Sequence, residues 1–329
     1  MGHQPLTRRH LIARTLGAGV ASATAITLAS CNDALPQVSP ATVAPFAGNG
    51  DPPLIVDVPW LEAAQSRTGN QSLVLDLSPL RTYRRAHLPG AVHAWWQDTM
   101  ELDQPQDIYG TLLDFDHGTQ ADRIDLLEDL GIGDDTEVIA YDDDRNRWAA
   151  RMVWFLRFLG HDRASVLDGG LAAWHGHGRE THDGEIDPPD TEPPTVNPRE
   201  GYYYGTTELQ EQLARPETAL VDIRTDDEAR DTDNDRLPLG RIPGAIPIPW
   251  TSTLRDNVGR LKNPADLERL YRDHDVTPDR PIVVYARYGV EAAHGWWVLK
   301  LLNYPNVVVY DRGWAGWSTT SDLPIDPLT

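Results

Sequence analysis

Ile282-Val283-Val284-Tyr285-Ala286-Arg287-Tyr288-Gly289-Val290-Glu291-Ala292-Ala293-His294 is the stretch that decides how this chain folds. Four apolar residues in a row, three of them β-branched, are too few for a helix. They show no polar alternation, so they read as a strand covered on both faces. A short loop containing one glycine follows, and an amphipathic helix is predicted over Glu291 to Leu302. A strand that feeds a helix through a short loop is the unit of an open α/β fold with a parallel sheet.

The same unit occurs earlier. Val138-Ile139-Ala140-Tyr141 runs into Asp142-Asp143-Asp144-Arg145, and a helix is predicted over Trp148 to Leu159. Working outward, Leu73-Val74-Leu75-Asp76 matches Ala219-Leu220-Val221-Asp222, and Leu88-Pro89-Gly90-Ala91 matches Ile242-Pro243-Gly244-Ala245. Each Pro-Gly pair predicts a tight turn. Val166-Leu167-Asp168-Gly169-Gly170 with Trp174 matches Val309-Tyr310-Asp311-Arg312-Gly313 with Trp317. The landmarks keep their order, and Asp76/Asp222, Tyr141/Tyr285, Asp168/Asp311 and Trp174/Trp317 lie 143–146 residues apart, which identifies an internal duplication. Asp76 and Asp222, at strand ends, are expected to anchor their loops by accepting backbone hydrogen bonds.

These motifs resemble the rhodanese family in its tandem form, the thiosulfate and 3-mercaptopyruvate sulfurtransferases. The resemblance covers about residues 54–320. It implies two tandem α/β domains, each an open, mostly parallel sheet flanked by helices. It also implies that the second domain carries the active loop, with the pattern Cys-Arg-x-Gly-x-x. In such a loop backbone N–H groups and a helix N-terminus hold a thiolate and then its persulfide. Here the loop reads Ala286-Arg287-Tyr288-Gly289-Val290-Glu291: Arg287 and Gly289 match, and Ala286 stands where the nucleophile belongs. Asp142 holds the corresponding position in the first half. A methyl group cannot accept sulfane sulfur, so sulfur transfer by this chain alone is not expected.

The loop could still bind an anion such as thiosulfate or sulfite through its N–H groups. Glu291, where the family often has Arg or Thr, opposes that. Arg287 either aids the anion or braces the loop through a salt bridge. Arg224 either faces the cleft between the halves or pairs with a nearby acid. Three functions stay open. One is a binding or regulatory module derived from a sulfurtransferase. A second is a working sulfurtransferase whose thiol comes from a partner, or whose sequence is altered at position 286. The third is a cell-surface interaction scaffold. No cofactor is expected. Asp142, Asp143 and Asp144 lack the spacing of a calcium loop, and His175, His177 and His182 lack a fixed zinc geometry, so no metal is expected either. Trp95-Trp96 and Trp296-Trp297 are expected to pack the domains.

The rest of the chain bears on location. Cys31 is the single cysteine of 329 residues. It follows Arg8-Arg9 and a mild apolar stretch ending Leu28-Ala29-Ser30, the order of a twin-arginine signal (residues 1–30) closed by a lipobox. The expectation is export, and lipidation at Cys31 on the outer face of the cytoplasmic membrane, periplasmic or at the cell surface. No later segment is apolar enough to span a membrane. Residues 31–52 read as a flexible spacer, 53–180 as the first domain, 181–201 as a solvated Pro- and acid-rich linker without a core, and 202–322 as the second domain. The net charge is −21, and all but Lys262 and Lys300 of the 29 basic residues are Arg. So acidic a surface repels nucleic acid and anionic headgroups. A protein partner is not identified.

Overall fold

The computed structural model describes residues 53–67, 72–94, 120–230 and 237–328. The signal, Cys31, the spacer and Trp95-Trp96 lie outside the described residues. The first half runs β1 (Ile55–Val56), α1 (Val58–Gln65), β2 (Ser72–Asp76), α2 (Leu80–Arg85), β3 (Val92–His93), α3 (Gln120–Asp129), β4 (Glu137–Tyr141), α4 (Arg147–Phe158), β5 (Ala164–Leu167) and α5 (Gly170–Gly176). The second runs β6 (Tyr203–Tyr204), α6 (Thr206–Leu213), β7 (Ala219–Asp222), α7 (Asp226–Arg230), β8 (Ile246–Pro247), α8 (Pro264–Arg272), β9 (Ile282–Tyr285), α9 (Gly289–Leu301), β10 (Val307–Tyr310) and α10 (Gly313–Thr319).

Each half forms a five-stranded sheet, in the order β1-β5-β4-β2-β3 and β6-β10-β9-β7-β8. Every pairing within these sheets is parallel. The identical strand order is what a duplication requires.

The period-2 geometry of the strands divides the core. Leu73, Leu75, Val138 and Ala140 share one apolar cluster with Ala219, Val221, Ile282 and Val284 of the other half. The alternate residues Val74, Ile139 and Tyr141 form a separate cluster on the outer face of the first sheet. Leu220, Val283 and Tyr285 do the same on the second. The inner faces of both sheets thus look into one continuous core, where α4 packs against α9.

That arrangement changes the reading of α9. Both α9 and α4 were expected to be amphipathic. Ala292 through Leu299 are instead all buried, as are nine of the twelve residues of α4. Enclosed between its own sheet and α4, α9 has no solvent stripe over Ala292–Leu299 and is apolar all round there, whereas α4 keeps a half-buried edge at Arg147, Trp148 and Arg157.

The linker also differs from its solvated reading. Residues 182–199 form an irregular strap laid along the first half. His182 and His87 exchange backbone hydrogen bonds at 2.9 Å. The Thr195 N–H and hydroxyl donate to the Asp134 carboxylate at 2.6 and 2.9 Å. The Asn197 and Arg199 N–H groups donate to the Leu159 and Phe158 carbonyls at the end of α4, and Val196 is buried. Prolines remove backbone donors and most of the segment stays exposed, but Asn197 and Arg199 supply donors to carbonyls left unpaired at the helix end.

Candidate functional site

The loop Ala286–Tyr288 joins the C-terminal end of β9 to the N-terminus of α9. It lies at the point where the chain switches direction across the sheet, between β9 and β7. In open parallel sheets this is where ligands bind. Ala286 is buried. The loop carbonyls are held by α10: the Trp314 and Ala315 N–H groups at its start donate to the Ala286 and Arg287 oxygens at 2.8 and 3.0 Å. Gly313 makes this approach feasible. Its φ is +56°, and a Cβ there would lie 2.7 Å from the Arg287 oxygen. Gly289 is equally required, since a Cβ would collide with the Asp311 carbonyl.

The side chains of the loop sort as follows. Arg287 donates to the Glu228 carbonyl at 3.3 Å and so braces the loop against α7. Glu291 is the third residue of α9, and its Oε2 accepts from the Tyr288 N–H at 3.3 Å, one half of a capping box. Burial raises the Glu291 carboxyl above the usual carboxylate range, against the opposing pull of the Arg147 guanidinium. Val290 belongs to the first turn of α9.

In the first half the equivalent loop contains its own anion. Asp142 is buried, and its Oδ1 accepts from the Asp144 and Asn146 N–H groups at 2.8 and 2.9 Å. Its Oδ2 accepts from the Trp148 and Ala149 N–H groups, both at 2.9 Å. Burial pushes this carboxyl up to about 6 in spite of four backbone donors.

Arg224, offered from the sequence as a cleft residue, is buried away from it. Its Nε and Nη2 donate to the two oxygens of Asp222 at 2.9 and 2.7 Å, and Nη2 also donates to the Gly240 carbonyl. Asp222 further accepts from the Arg224 N–H and the Tyr285 hydroxyl at 3.1 and 2.9 Å. Asp76 accepts the Ser78 N–H at 2.8 Å and the Tyr141 hydroxyl in the same way. Both aspartates therefore tie a strand end to its loop and to the neighbouring strand. His294 is fully buried, with Nε2 3.0 Å from the Thr253 hydroxyl, and burial drives its pKa down to about 3. Trp296 and Trp297 are buried, and the Trp297 indole N–H donates to the Leu54 carbonyl of the first half at 2.9 Å. Among the described residues no cluster of His, Cys, Asp or Glu could hold a metal ion. His182 serves in the strap instead, through its backbone.

Two arginines of the first half reach this loop, and sequence reasoning passed over both. Arg151 of α4 is buried. It donates to the Asp311 carboxylate at 2.9 Å and to the Gly289 carbonyl at 3.3 Å, with its guanidinium 4.1 Å from the centre of the Trp154 ring. Arg147, at the start of α4, pairs with Asp144 and stands 3.5 Å from Glu228 of α7. It lies 5.3 Å from the ring centre of Trp250, which Arg145 also covers at 4.6 Å. The one available signal was a charged residue inside the apolar run Trp148–Leu159.

The site can therefore orient N–H groups and guanidinium charge around the loop. It presents at residue 286 a side chain with no acid–base or nucleophilic chemistry.

Comparison with known proteins places this geometry. The rhodanese-like domain family matches residues 57–177 and again 205–320. The chain is 30% identical to the sulfur carrier protein TtuD of Thermus thermophilus, over 84% of this chain and 98% of that one. It is 32% identical to a thiosulfate sulfurtransferase of Corynebacterium glutamicum, over 85% and 93% respectively. It is 30% identical to the 3-mercaptopyruvate sulfurtransferase of Escherichia coli, over 83% and 94%. The solved structure of SseA from E. coli superposes with a TM-score of 0.65 at 23% identity, covering 79% of this chain and 98% of that one. An ergothioneine biosynthesis enzyme from Chlorobium limicola shares the fold, with a TM-score of 0.72 at 20% identity, over 84% of this chain and 70% of that one.

Proposed function

The chain belongs to the rhodanese-like family in its tandem, sulfurtransferase-like form, and from that premise we propose that it is a binding or regulatory module that no longer transfers sulfur. The observation that carries this reading is Ala286, buried at the end of β9 where the family's loop pattern has its cysteine. In sulfur transfer a thiolate attacks the outer sulfur of thiosulfate. Sulfite leaves with the electron pair, and a new S–S bond holds the sulfur as a persulfide. Residues 32–329 contain no thiol to perform that step.

Cyanide-dependent thiocyanate formation, with thiosulfate or 3-mercaptopyruvate as donor, tests the proposal. Purified native chain is expected to match the buffer blank, and turnover above it overturns the reading.

The ligand class offered by the loop is a small sulfur anion, thiosulfate or sulfite. Such an anion has to compete with Glu291 for the same N–H groups. Calorimetry is expected to find weak binding in the native chain and tighter binding after Glu291→Gln. We also propose export through the Arg8-Arg9 signal and lipid attachment at Cys31. Cys31→Ser is expected to release the protein from membranes, and unchanged membrane association overturns that assignment. Among the described residues no helix is long and apolar enough to cross a membrane.

A further inference from the structure

Both halves of the duplication place a carboxylate at the strand–loop–helix turn, on four backbone N–H groups in the first half and on the Tyr288 N–H in the second, and they take it from different positions. In the first half the carboxylate belongs to Asp142, the first residue of the loop, which accepts four backbone N–H groups. In the second half the first residue is Ala286, and the carboxylate belongs to Glu291, reaching back from the first turn of α9 to the Tyr288 N–H. A helix N-terminus with inward N–H groups carries positive potential that is stabilised by one negative charge. Removing a thiolate from such a turn leaves that potential unmatched, and Glu291 matches it.

We infer that Glu291 is the resident anion of the second-half loop, a charge that stands in for the missing persulfide, and that it is a second determinant of inactivity independent of Ala286. The inference rests on the reading of Ala286 as the vacated nucleophile position. It has a consequence that the alanine alone does not. Restoring a thiol at 286 would place two negative charges on one set of N–H groups, and like charges sharing a site raise each other's pKa. Arg147 and Arg151 of α4 face this carboxylate from the first half, and Glu228 of α7 opposes it. Arg147 is shared with Asp144 and Glu228 and Arg151 is paired with Asp311, so both already serve other carboxylates. A thiol at 286 with Glu291 in place should stay protonated at neutral pH, and a protonated thiol does not attack thiosulfate.

The plain alternative is that Glu291 only caps α9. Glutamine caps as glutamate does and has no charge, so Glu291→Gln separates the two roles. The experiment compares Ala286→Cys, Ala286→Cys/Glu291→Gln and Ala286→Cys/Glu291→Thr, in chains that also carry Cys31→Ser so that a single thiol is read. The thiol pKa is taken from thiolate ultraviolet absorbance against pH. Persulfide is read as the mass gain of one sulfur atom after incubation with thiosulfate. Thermal unfolding of each variant confirms that it is folded. The expected result is a thiol pKa at least about one unit lower in the Gln double variant than in Ala286→Cys, hence about tenfold more thiolate at neutral pH, with persulfide accumulating in the double variants first. If Ala286→Cys alone has as low a thiol pKa and gains sulfur as readily as the doubles, the inference is overturned. It is equally overturned if neutralising Glu291 leaves the thiol pKa unmoved in folded protein. Turnover by the native chain would instead overturn the reading of Ala286 and leave this comparison standing as a separate measurement.

Discussion

Replacing Arg151 by methionine removes one member of a charge pair that crosses between the halves and is closed to water. Arg151 and Asp311 are both buried, 2.9 Å apart, and Arg151 also donates to the Gly289 carbonyl at 3.3 Å. Burial works to lower the Arg151 pKa, and Asp311 is the main force holding the guanidinium charged. Methionine keeps the apolar stem and loses the charge, so the buried Asp311 carboxylate loses the Arg151 guanidinium. Breaking a buried pair from one side costs about 3–5 kcal/mol. For a chain of this size that is on the order of 10 °C in melting temperature. Asp311→Asn added to Arg151→Met should recover more than half of the loss, because the buried charge and not the missing attraction is the expensive element. Urea unfolding followed by tryptophan fluorescence measures Arg151→Met, Asp311→Asn and the double variant. A loss below about 1 kcal/mol for Arg151→Met, or a double variant as unstable as the sum of the singles, would show that the pair is solvated and the reasoning wrong.

Asp168 gives a pH test. It is buried, accepts the Leu261 N–H of the second half at 3.2 Å, and burial pushes its carboxyl up to about 7. Between the usual carboxylate value and about 7 the folded chain holds a proton that the unfolded chain releases. This contribution to stability is therefore complete below the usual value and lost as pH rises through about 7. Asp168→Asn should gain on the native protein by up to about 4 kcal/mol at pH 8 and little at pH 4; urea midpoints at the two pH values check it, and a gain confined to low pH refutes it. At Gly313, alanine must adopt φ +56° and crowd the Arg287 oxygen, while at Gly244, φ +76°, nothing lies within 4 Å of a Cβ. Gly313→Ala should cost more than about 2 kcal/mol and Gly244→Ala about 1 kcal/mol, read as thermal shifts; equal shifts would show that the α10–loop contact is not tight.

The duplication was legible because it is written in strands. Short apolar runs such as Val138–Tyr141 and Ile282–Tyr285, each feeding a helix through a short loop, have few structural alternatives. Asp76 and Asp222 were legible for the same reason, since an acid at the end of a buried strand needs backbone donors. What escaped was pairing across the halves. Arg151 and Asp311 are 160 residues apart in sequence, and neither periodicity nor spacing reports which residues of two domains will meet. The strap escaped too. Its composition signals the lack of regular structure correctly, but Val196 and Thr195 bind through irregular backbone, which leaves no pattern to read. Glu291 was visible as a charge beside the loop. Only the geometry shows its carboxylate turned back onto the Tyr288 N–H.

The hydrogen bond from Trp297 to Leu54 has a consequence for the order in which this chain folds. Its ends are 243 residues apart, and Leu54 immediately precedes β1, an edge strand of the first sheet. Synthesis from the N-terminus makes the acceptor early and the donor almost last. The first half can pair its strands and lay α4 on them as it emerges, but the face of α4 turned to the second half stays uncovered until α9 arrives. High contact order of this kind slows folding and lengthens the exposure of apolar surface. The contact that ties Leu54 to α9 therefore cannot form before the helix that bears the altered loop has been made.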